Sequence, residues 1–499
     1  MTWIAGVRRD ATARILAAAS EASAPVAAAL MTGERRAIPE ETLSNMRDAG
    51  LAHLLAISGL HIGLVAGLLF FAVRFGLAAI EPFTLRYPIK KIAAAAAVVG
   101  AFFYLLVSGS TIPTERAFLM ASIAFGAIMI DRTPISLRLV AVAAVVVLAL
   151  SPESLLTASF QMSFAAVVAL VAGYEAAAPR FAEWRSSGWL ASRFGLFIAA
   201  TLLTTVIATA ATSPFAIYHF HRLALYGLAA NLLAVPITAF WIMPWAVAAF
   251  VLMPVGLEAL ALTPMGWGIE AVLWVAETVS GWPGAVALIS PMPLAALCAA
   301  ALGGLWICLW RGRVRWFGLP VFLAGLAGPA ISTPPDILVG DDGRLVAVRD
   351  RSGAVYLSPG RGQRFEREMW LRYLGASESA GWPAPGAGPA GPLSCDGAGC
   401  IVRLDGRSLS LASGLEAVTA DCARTDAMIV LVRAPRRLCG PEKVLFSTFH
   451  LWRDGGHAIR VDRAGFEIES VRERRGDRPW SRLSERKRQY LRTSPTSRP

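Results

Sequence analysis

Long apolar stretches, separated by short polar turns, fill the chain from residue 51 to residue 331. A helix needs about 20 apolar residues to cross a bilayer, and most of these stretches approach that length. From residue 336 onward, charged residues, Gly and Pro are frequent, and apolar positions alternate with polar ones. The pattern predicts an α-helical polytopic membrane protein of about 10 spans with a C-terminal soluble α/β, β-rich domain. The predicted spans are 54–76, 92–110, 115–131, 136–151, 156–174, 194–212, 223–242, 245–262, 290–310 and 316–331.

Composition agrees with this division of the chain. Hydrophobic residues make up 55% of the 499 residues and charged residues only 16%, whereas soluble proteins carry about 25% charged residues. A soluble protein could not cover so many apolar segments, so an ordinary soluble enzyme is excluded for the first two thirds of the chain.

Basic clusters predict the orientation, because Lys and Arg are enriched in cytoplasmic loops. The clusters lie near residues 86–91, 132–138, 180–193 and 311–315. They are an even number of spans apart if 266–282, an amphipathic segment rich in Trp and Glu, lies at the membrane interface instead of crossing. Residues 1–52 and the C-terminal domain are then predicted to lie on the outer side.

The first predicted span opens with LAHLLAISGLHIG, which places His53, Ser58 and His61 at the start of an apolar helix. Polar groups in hydrocarbon cost free energy, so they usually face a cavity or a partner. Two interpretations stay open: a polar path, or a histidine that only joins two helices. Small residues recur at every fourth position and predict a close helix contact, at Gly59, Gly63 and Gly67.

Other polar residues fall at similar depths in later spans. They are Arg116, Gln161, His219, His221 and Asn231. We interpret them, with the three polar residues of the first span, as candidates to line a polar path. For Gln161 the alternative is a simple hydrogen bond between helices, and for Asn231, which precedes Pro236, it is a kink satisfied by neighbouring helices.

Four segments resemble the ComEC competence family, the inner-membrane DNA-uptake channel of natural transformation. They are LAHLLAISGLHIGLV, SGSTIPTERAFLM, SPESLLTASFQMSFAAV and ATSPFAIYHFHRLALYGLAANLLAVPI, in that order along the chain. The preceding ALMTGERRAIPEETLSNMRDAG resembles the amphipathic lead-in of that family. The family-matching polar positions are His53, Ser58, His61, Arg116, Gln161 and Asn231.

The resemblance implies a function and its partners. It implies a channel in the lipid bilayer of the bacterial inner membrane that imports single-stranded DNA. An external DNA receptor protein and a cytoplasmic helicase-like motor are the implied partners, because the chain has no GxxxxGK[ST] nucleotide-binding loop of its own. Assembly into a homo-oligomer stays open.

The expected domains follow from these boundaries. Residues 1–51 are predicted as an amphipathic lead-in outside, 52–331 as the multi-spanning channel domain, 336–475 as the outward soluble domain, and 476–499 as a basic disordered tail. Family members usually also carry an upstream membrane hairpin and an OB-fold-like domain. This chain begins after that point, so either its start is truncated or DNA capture is left to other proteins.

The resemblance also bears on the C-terminal region, because many members of the family end in a metallo-β-lactamase-like domain. It implies that this region is a degenerate domain of that kind, and we expect it to lack nuclease activity. That fold holds two metals through a His-x-His-x-Asp-His cluster, and residues 336–499 contain only His450 and His457. We therefore expect no enzyme activity, no metal site and no cofactor.

Four cysteines fall in this domain, and an oxidising outer compartment would pair them. Proximity along the chain favours Cys395 with Cys400 and Cys422 with Cys439. A zinc site built from all four is the alternative, although the spacing lacks a CxxC knuckle. The domain is also basic, with 27 Lys and Arg against 20 Asp and Glu, a net of +7, which favours DNA backbones unless the charge belongs only to a solvated tail.

Two other function classes compete with the DNA channel. A small-molecule transporter would use the interruption around Asn231 as its substrate site, but no inverted repeat is evident. A membrane hydrolase would use Ser58 and His61, but an orienting acid is lacking at a matching position. The chain could also be a non-functional relic of the channel.

Overall fold

The structure is a computed structural model that describes residues 2–186, 190–360, 362–435, 438–440 and 442–476. The chain forms two compact units. The first unit runs to Gly328 without residues 288–292, and the second comprises 288–292 and the chain from Pro329 onward. The predicted tail, 476–499, lies outside the described residues apart from Gly476.

The first unit is helical. Its helices are α1 (Thr2–Ala18), α2 (Ala24–Thr32), α3 (Glu40–Asp48), α4 (Ala52–Leu55), α5 (Gly59–Ala78), α6 (Glu81–Arg86), α7 (Ile89–Val107), α8 (Ile112–Met129), α9 (Leu137–Leu150), α10 (Ala158–Ser186), α11 (Leu190–Phe220), α12 (Gly227–Ile237), α13 (Met243–Leu252), α14 (Ala259–Ser280), α15 (Leu294–Leu309) and α16 (Gly318–Ile331). Two short strands, β1 (Arg222–Ala224) and β2 (Val286–Leu288), pair with each other.

Eight helical stretches among the described residues are long and apolar enough to cross a membrane, and α9 and α15 are shorter apolar helices. Together with the β-rich second unit, they confirm the predicted fold class of a polytopic membrane protein with a β-rich domain.

The predicted spans 223–242 and 245–262 are wrong as separate helices. One helical stretch, Gly227–Val255, replaces both. It passes through Pro236 and Pro244 by way of a π-helical turn, Thr238–Ile242. Proline lacks the N–H donor of an α-helical hydrogen bond, and the π turn changes the spacing of the backbone hydrogen bonds between the two prolines. The prolines therefore bend the helix without ending it.

The segment 266–282, which the sequence left open between crossing the membrane and lying at its interface, falls largely within α14. This helix is among the eight candidate spans, and it buries a stripe that includes Leu262, Met265 and Ile269. Its glutamates lie on the opposite, exposed side. The segment therefore packs into the unit as a full helix.

The first 51 residues belong to the core of the first unit. Helix α2 is buried over almost its whole length, as expected for a short helix that is apolar on all sides. The Tyr104 hydroxyl of α7 donates a hydrogen bond to the Leu30 carbonyl of α2 at 2.6 Å. Arg14 of α1 donates to both carboxylate oxygens of Glu258, each at 2.7 Å, and thereby lowers the pKa of that carboxyl. Residues of this segment thus pack within the first unit, and its role as a lead-in stays a prediction.

The close helix contact predicted at Gly59, Gly63 and Gly67 is not made within the described chain. A Cβ added at any of the three would meet no atom within 4 Å, because this stripe of α5 faces away from its neighbours. The close contact lies instead between α15 and α16. There a Cβ on Gly303 would lie 2.5 Å from the Phe322 nitrogen. For the α5 stripe, contact with another chain stays a prediction.

The second unit contains two five-stranded sheets. One has the order β12-β11-β3-β4-β5 and the other β10-β9-β8-β7-β6. The strands are β3 (Ile337–Val339), β4 (Val346–Arg349), β5 (Val355–Leu357), β6 (Leu393–Cys395), β7 (Gly399–Leu404), β8 (Arg407–Ala412), β9 (Ala427–Val430), β10 (Val444–Ser447), β11 (His457–Val461) and β12 (Phe466–Ser470). The first sheet is antiparallel, and the second is parallel only where β9 meets β8 and β10.

The two sheets share one core and each carries a helix on its outer face. These outer helices are α17 (Arg364–Leu374) on the first sheet and α18 (Leu415–Cys422) on the second. Two shorter helices are α19 (Thr448–Asp454), whose Leu451 joins the core between the sheets, and α20 (Val471–Arg475). Alternation along each strand explains the layers. Ile429 of β9 joins the core between the sheets, while its neighbours Met428 and Val430 pack against α18. Leu374 of α17 packs on the first sheet. The result is a helix-sheet-sheet-helix sandwich.

Cys395 bonds to Cys400 and Cys422 to Cys439, the two pairings favoured by proximity along the chain. We expect no free thiol at these four positions when the protein is purified without reductant, as measured by alkylation and mass spectrometry. Replacing Cys422 and Cys439 by Ala should cost about 3 kcal/mol of stability, because a longer loop loses more entropy when it is closed. Replacing the other pair, whose loop is shorter, should cost about 2 kcal/mol. Alkylation at all four of these positions would contradict the pairing.

Candidate functional site

Polar residues of four helices lie at one end of the first unit. His61 is the third residue of α5, Arg116 the fifth of α8 and Gln161 the fourth of α10, while His219 is the last but one of α11. Helices α5 and α8 contact each other, and Ile62 and Ala117 near their starts belong to the same apolar cluster. Hydrogen bonds then connect α8 to α10 and α10 to α11.

Arg116 joins α8 to the first turn of α10. Its Nη2 donates to the Ser159 carbonyl at 2.8 Å and lies 2.6 Å from the Ser159 hydroxyl. The residue is only 5% exposed. Its Nε and Nη1 atoms are buried and have no partner among the described residues. Sequence reasoning selected Arg116 but missed Ser159, whose only signal is the run of hydroxyl and amide residues in TASFQMS.

Gln161 and His219 satisfy each other. His219 Nε2 donates to Gln161 Oε1 at 2.8 Å, and Gln161 Nε2 donates to the Leu155 carbonyl at 3.0 Å. Because residues two apart on a helix point in opposite directions, Ser159 and Gln161 hold different neighbours on the two sides of α10. Both the oxygen and the nitrogen of the Gln161 amide have hydrogen-bond partners. Gln161 therefore makes the hydrogen bond between helices that was the alternative to lining a polar path.

Ser58 and His61 form a helix cap. Ser58 precedes the first residue of α5, and its backbone N–H donates to His61 Nδ1 at 3.2 Å. The same S-x-x-H box begins α19 with Ser447 and His450, also at 3.2 Å. The Ser58–His61 pair therefore has a capping role that a second helix of the chain reproduces. His61 is fully buried, and its Nε2 has no partner among the described residues.

The remaining candidates are less connected. His53 is the second residue of the short helix α4, and its Nδ1 lies 3.3 Å from the Gly50 carbonyl. His221 ends α11 with φ of 55°, a left-handed conformation that histidine adopts more readily than most residues. Asn231 lies on α12, and its buried Oδ1 has no partner among the described residues. No distance joins these three to the Arg116 contacts.

An ion pair at this end was missed by sequence reasoning. Arg222, which follows α11, pairs with Asp48 at the end of α3. Gly50, with φ of 75°, lets the same turn approach Gly227 closely, since a Cβ there would lie 3.1 Å from the Gly227 Cα. The pair fixes the N-terminal helices to the start of α12. Its residues are 174 positions apart, so no local pattern could have indicated it.

The two histidines of the second unit have structural surroundings. His450 completes the cap of α19, and His457 of β11 stacks on Phe446 with ring centroids 4.3 Å apart. Across the described residues, no group of three or more His, Cys, Asp or Glu side chains could hold a metal ion. The ligand set of a binuclear hydrolase is therefore not found in that part of the chain.

Burial lowers the pKa of His457 in the fold, so the unfolded chain binds more protons as pH falls below about 6.5. The contribution of His457 to stability is present above that pH and lost below it. We expect His457→Gln to lose less stability than the wild type between pH 7.5 and pH 5.5. Hydrogen exchange of peptides from β11 and β12, corrected for intrinsic rates, measures this. Equal losses in both proteins would contradict the prediction.

Comparison with known proteins gives a family. The profile of a family described as "Competence protein" matches residues 30–314. ComE operon protein 3 of Bacillus subtilis is 27% identical over 227 residues, which are 45% of this chain and 26% of that protein. Recombination protein 2 of Haemophilus influenzae is 30% identical over 233 residues, 43% of this chain and 27% of that protein. Competence protein ComA of Neisseria gonorrhoeae is 40% identical over 94 residues, 18% of this chain and 13% of that protein.

The matched segments span about a quarter or less of the length of these relatives. No solved structure matches the chain. The family profile nevertheless covers more than half of the sequence and includes every helix that contributes to the polar end of the first unit. The resemblance found in the sequence is thereby confirmed, and the chain belongs to the competence protein family.

Proposed function

We propose that this chain forms a channel for the import of single-stranded DNA across the bacterial inner membrane during natural transformation. The family match over residues 30–314 carries the proposal. The polar side chains that join α8, α10 and α11 at one end support it, since a channel for a charged polymer needs polar groups at its mouth. His61 Nε2 and the Nε and Nη1 atoms of Arg116 are hydrogen-bond donors without a partner among the described residues.

The proposed orientation places this polar end outside. The turns at 108–111 and 151–157 on this side lack Lys and Arg, whereas the opposite turns carry the basic clusters. At that opposite end, Lys91 donates to Asp131 at 2.6 Å and lowers the pKa of its carboxyl. We expect a reporter fused after residue 340 to be active on the periplasmic side, and activity in the cytoplasm would contradict this orientation.

Proposed partners supply what the chain lacks. An external receptor would deliver DNA, and a cytoplasmic helicase-like motor would pull it, because the sequence has no nucleotide-binding loop. The second unit is proposed to be a degenerate metallo-β-lactamase-like domain without nuclease activity. Its layer order supports the fold, and the structural use of His450 and His457 supports the loss of metal ligands.

The test follows fluorescent duplex DNA in a naturally transformable host whose own family protein has been deleted. We expect DNA to stay outside the inner membrane in the deletion strain and to enter when this chain is restored. His61→Ala should reduce entry more than His450→Ala, which removes the matching cap in the second unit. Import that proceeds without the chain would overturn the proposal. Uptake of a labelled solute instead of DNA would favour the transporter, and no rescue of either would favour a relic.

A further inference from the structure

Arg116 is a buried cation with a single neutral partner. The side chain is 5% exposed, and Ser159 is its hydrogen-bond partner. Its Nε and Nη1 carry three N–H groups, and neither atom has an acceptor among the described residues. A hydrogen bond to a carbonyl requires no charge, so this contact alone does not explain an arginine at the position.

Other arginines of the first unit differ from Arg116. Arg14 is paired with Glu258, and Arg222 is paired with Asp48. Within the described chain, no carboxylate forms an ion pair with Arg116. The neighbouring Glu115 and Glu153 are exposed. A buried charge is stable only when something of opposite charge or high polarity compensates it.

A second positive group lies beside Arg116. Ser159 is the second residue of α10, a helix of 29 residues, so the guanidinium contacts the helix N-terminus, where the backbone dipoles favour anions. Arg116 Nη2 contacts the Ser159 oxygens there, and Thr157 already caps the Phe160 and Gln161 N–H groups. The guanidinium's Nε and Nη1 donors, which no described residue uses, therefore lie near the positive end of the helix dipole. The arrangement is thus complementary to an anion and not to a cation.

We infer that Arg116 and the N-terminus of α10 form a binding site for a phosphate group of the DNA backbone. Arginine suits this ligand because its planar N–H donors match phosphate oxygens. The side chain lies about one helical turn from the exposed start of α8, where Ile112 is 63% exposed, so a strand at the outer surface has a short path to it. This inference rests on the proposed function, because it takes the transported strand as the source of the phosphate.

The experiment measures binding of a fluorescent single-stranded oligothymidylate to the full chain in lipid nanodiscs, at salt concentrations from 50 to 200 mM. Each phosphate contact contributes about 0.7 to the slope of log affinity against log salt for single strands. We expect Arg116→Gln to reduce the slope by about 0.7 and to weaken binding roughly tenfold at low salt. An oligonucleotide with neutral methylphosphonate linkages should bind wild type and variant equally.

Arg222→Gln is the matched control, since it removes one positive charge at the same end from an arginine that already has a carboxylate partner. Its slope should equal that of the wild type. If Arg116→Gln does not fold, Arg116→Met replaces it, because an apolar side chain of similar length brings no polar group of its own into the buried position. Equal slopes in the wild type and the folded neutral variant would overturn the inference while leaving the channel intact. A wild type that neither binds the oligonucleotide nor restores uptake would overturn the proposed function itself.

Discussion

Gly303→Ala is expected to disrupt the packing of α15 against α16 and to prevent most of the protein from reaching a stable folded state. The added Cβ would lie 2.5 Å from the Phe322 nitrogen, 2.8 Å from the Gly318 carbonyl oxygen and 2.9 Å from the Phe322 Cα. All three atoms belong to the backbone, so no side-chain rotation relieves the clash and the helices must separate. Van der Waals contact drives helix association in lipid, and overpacking of this kind costs about 3 kcal/mol.

Gly304→Ala is the control for this prediction. It makes the same chemical change one position further along the same helix, yet its Cβ would meet only the Phe322 ring, at 3.6 Å. Both substitutions remove a helix glycine and so gain about 1 kcal/mol of helix propensity. Fluorescence-detected size exclusion and the thermal midpoint in detergent measure the two variants side by side. Equal yields and midpoints would show that α15 and α16 do not pack as closely as described.

Arg351→Met is expected to destabilise the second unit by about 2 kcal/mol, because it leaves the carboxylate of Asp336 without its cationic partner. Asp336 is 5% exposed. Its carboxylate accepts from Arg351 Nη1 at 2.8 Å and from the Val461 N–H at 2.7 Å. Arg351 also pairs with Asp405, in the turn between β7 and β8, so one side chain links the two sheets.

A double-mutant cycle isolates this link. Asp336→Asn keeps an acceptor for Val461 and removes the buried charge, so adding it to Arg351→Met should recover part of the lost stability. The Arg351 guanidinium lowers the pKa of the Asp405 carboxyl, so this pair stabilises the fold above about pH 3.9 and its contribution disappears as pH falls further. Hydrogen exchange of the second unit gives the free energies. Additive effects of the two substitutions would contradict the described contacts. A difference in unfolding free energy between the wild type and Arg351→Met that does not change with pH would also contradict them.

The helical membrane fold followed from sequence because each span carries its own signal. A run of apolar residues is a local property, and lipid requires every backbone group within it to be satisfied by a helix. The starts and ends were less certain. The first span begins at Gly59 and not at residue 54, because Ser58 and His61 cap the helix there. The sequence predicted two spans, 223–242 and 245–262, where one helix continues through a π turn.

The candidate site was only partly visible in the sequence. Arg116, Gln161 and His219 were recognised because polar residues are rare in apolar helices. Their partners were not, since Gln161 and His219 lie 58 positions apart and Arg116 and Ser159 lie 43 apart. The glycines of α5 form a regular stripe, yet the close contact occurs at Gly303. Spacing shows where a backbone could approach closely, but only the positions of the other helices decide where it does.

For this protein, the amino-acid sequence by itself determined the family, the helical membrane class and the presence of a separate β-rich region. These depend on local patterns of polarity and on motifs of a few residues. The tertiary structure alone decided that the first 51 residues belong to the core, that Gln161 is already satisfied and that Arg116 is not. The physical reason is that hydrogen-bond satisfaction and burial are properties of neighbours in space, and neighbours far apart along the chain leave no mark on local sequence.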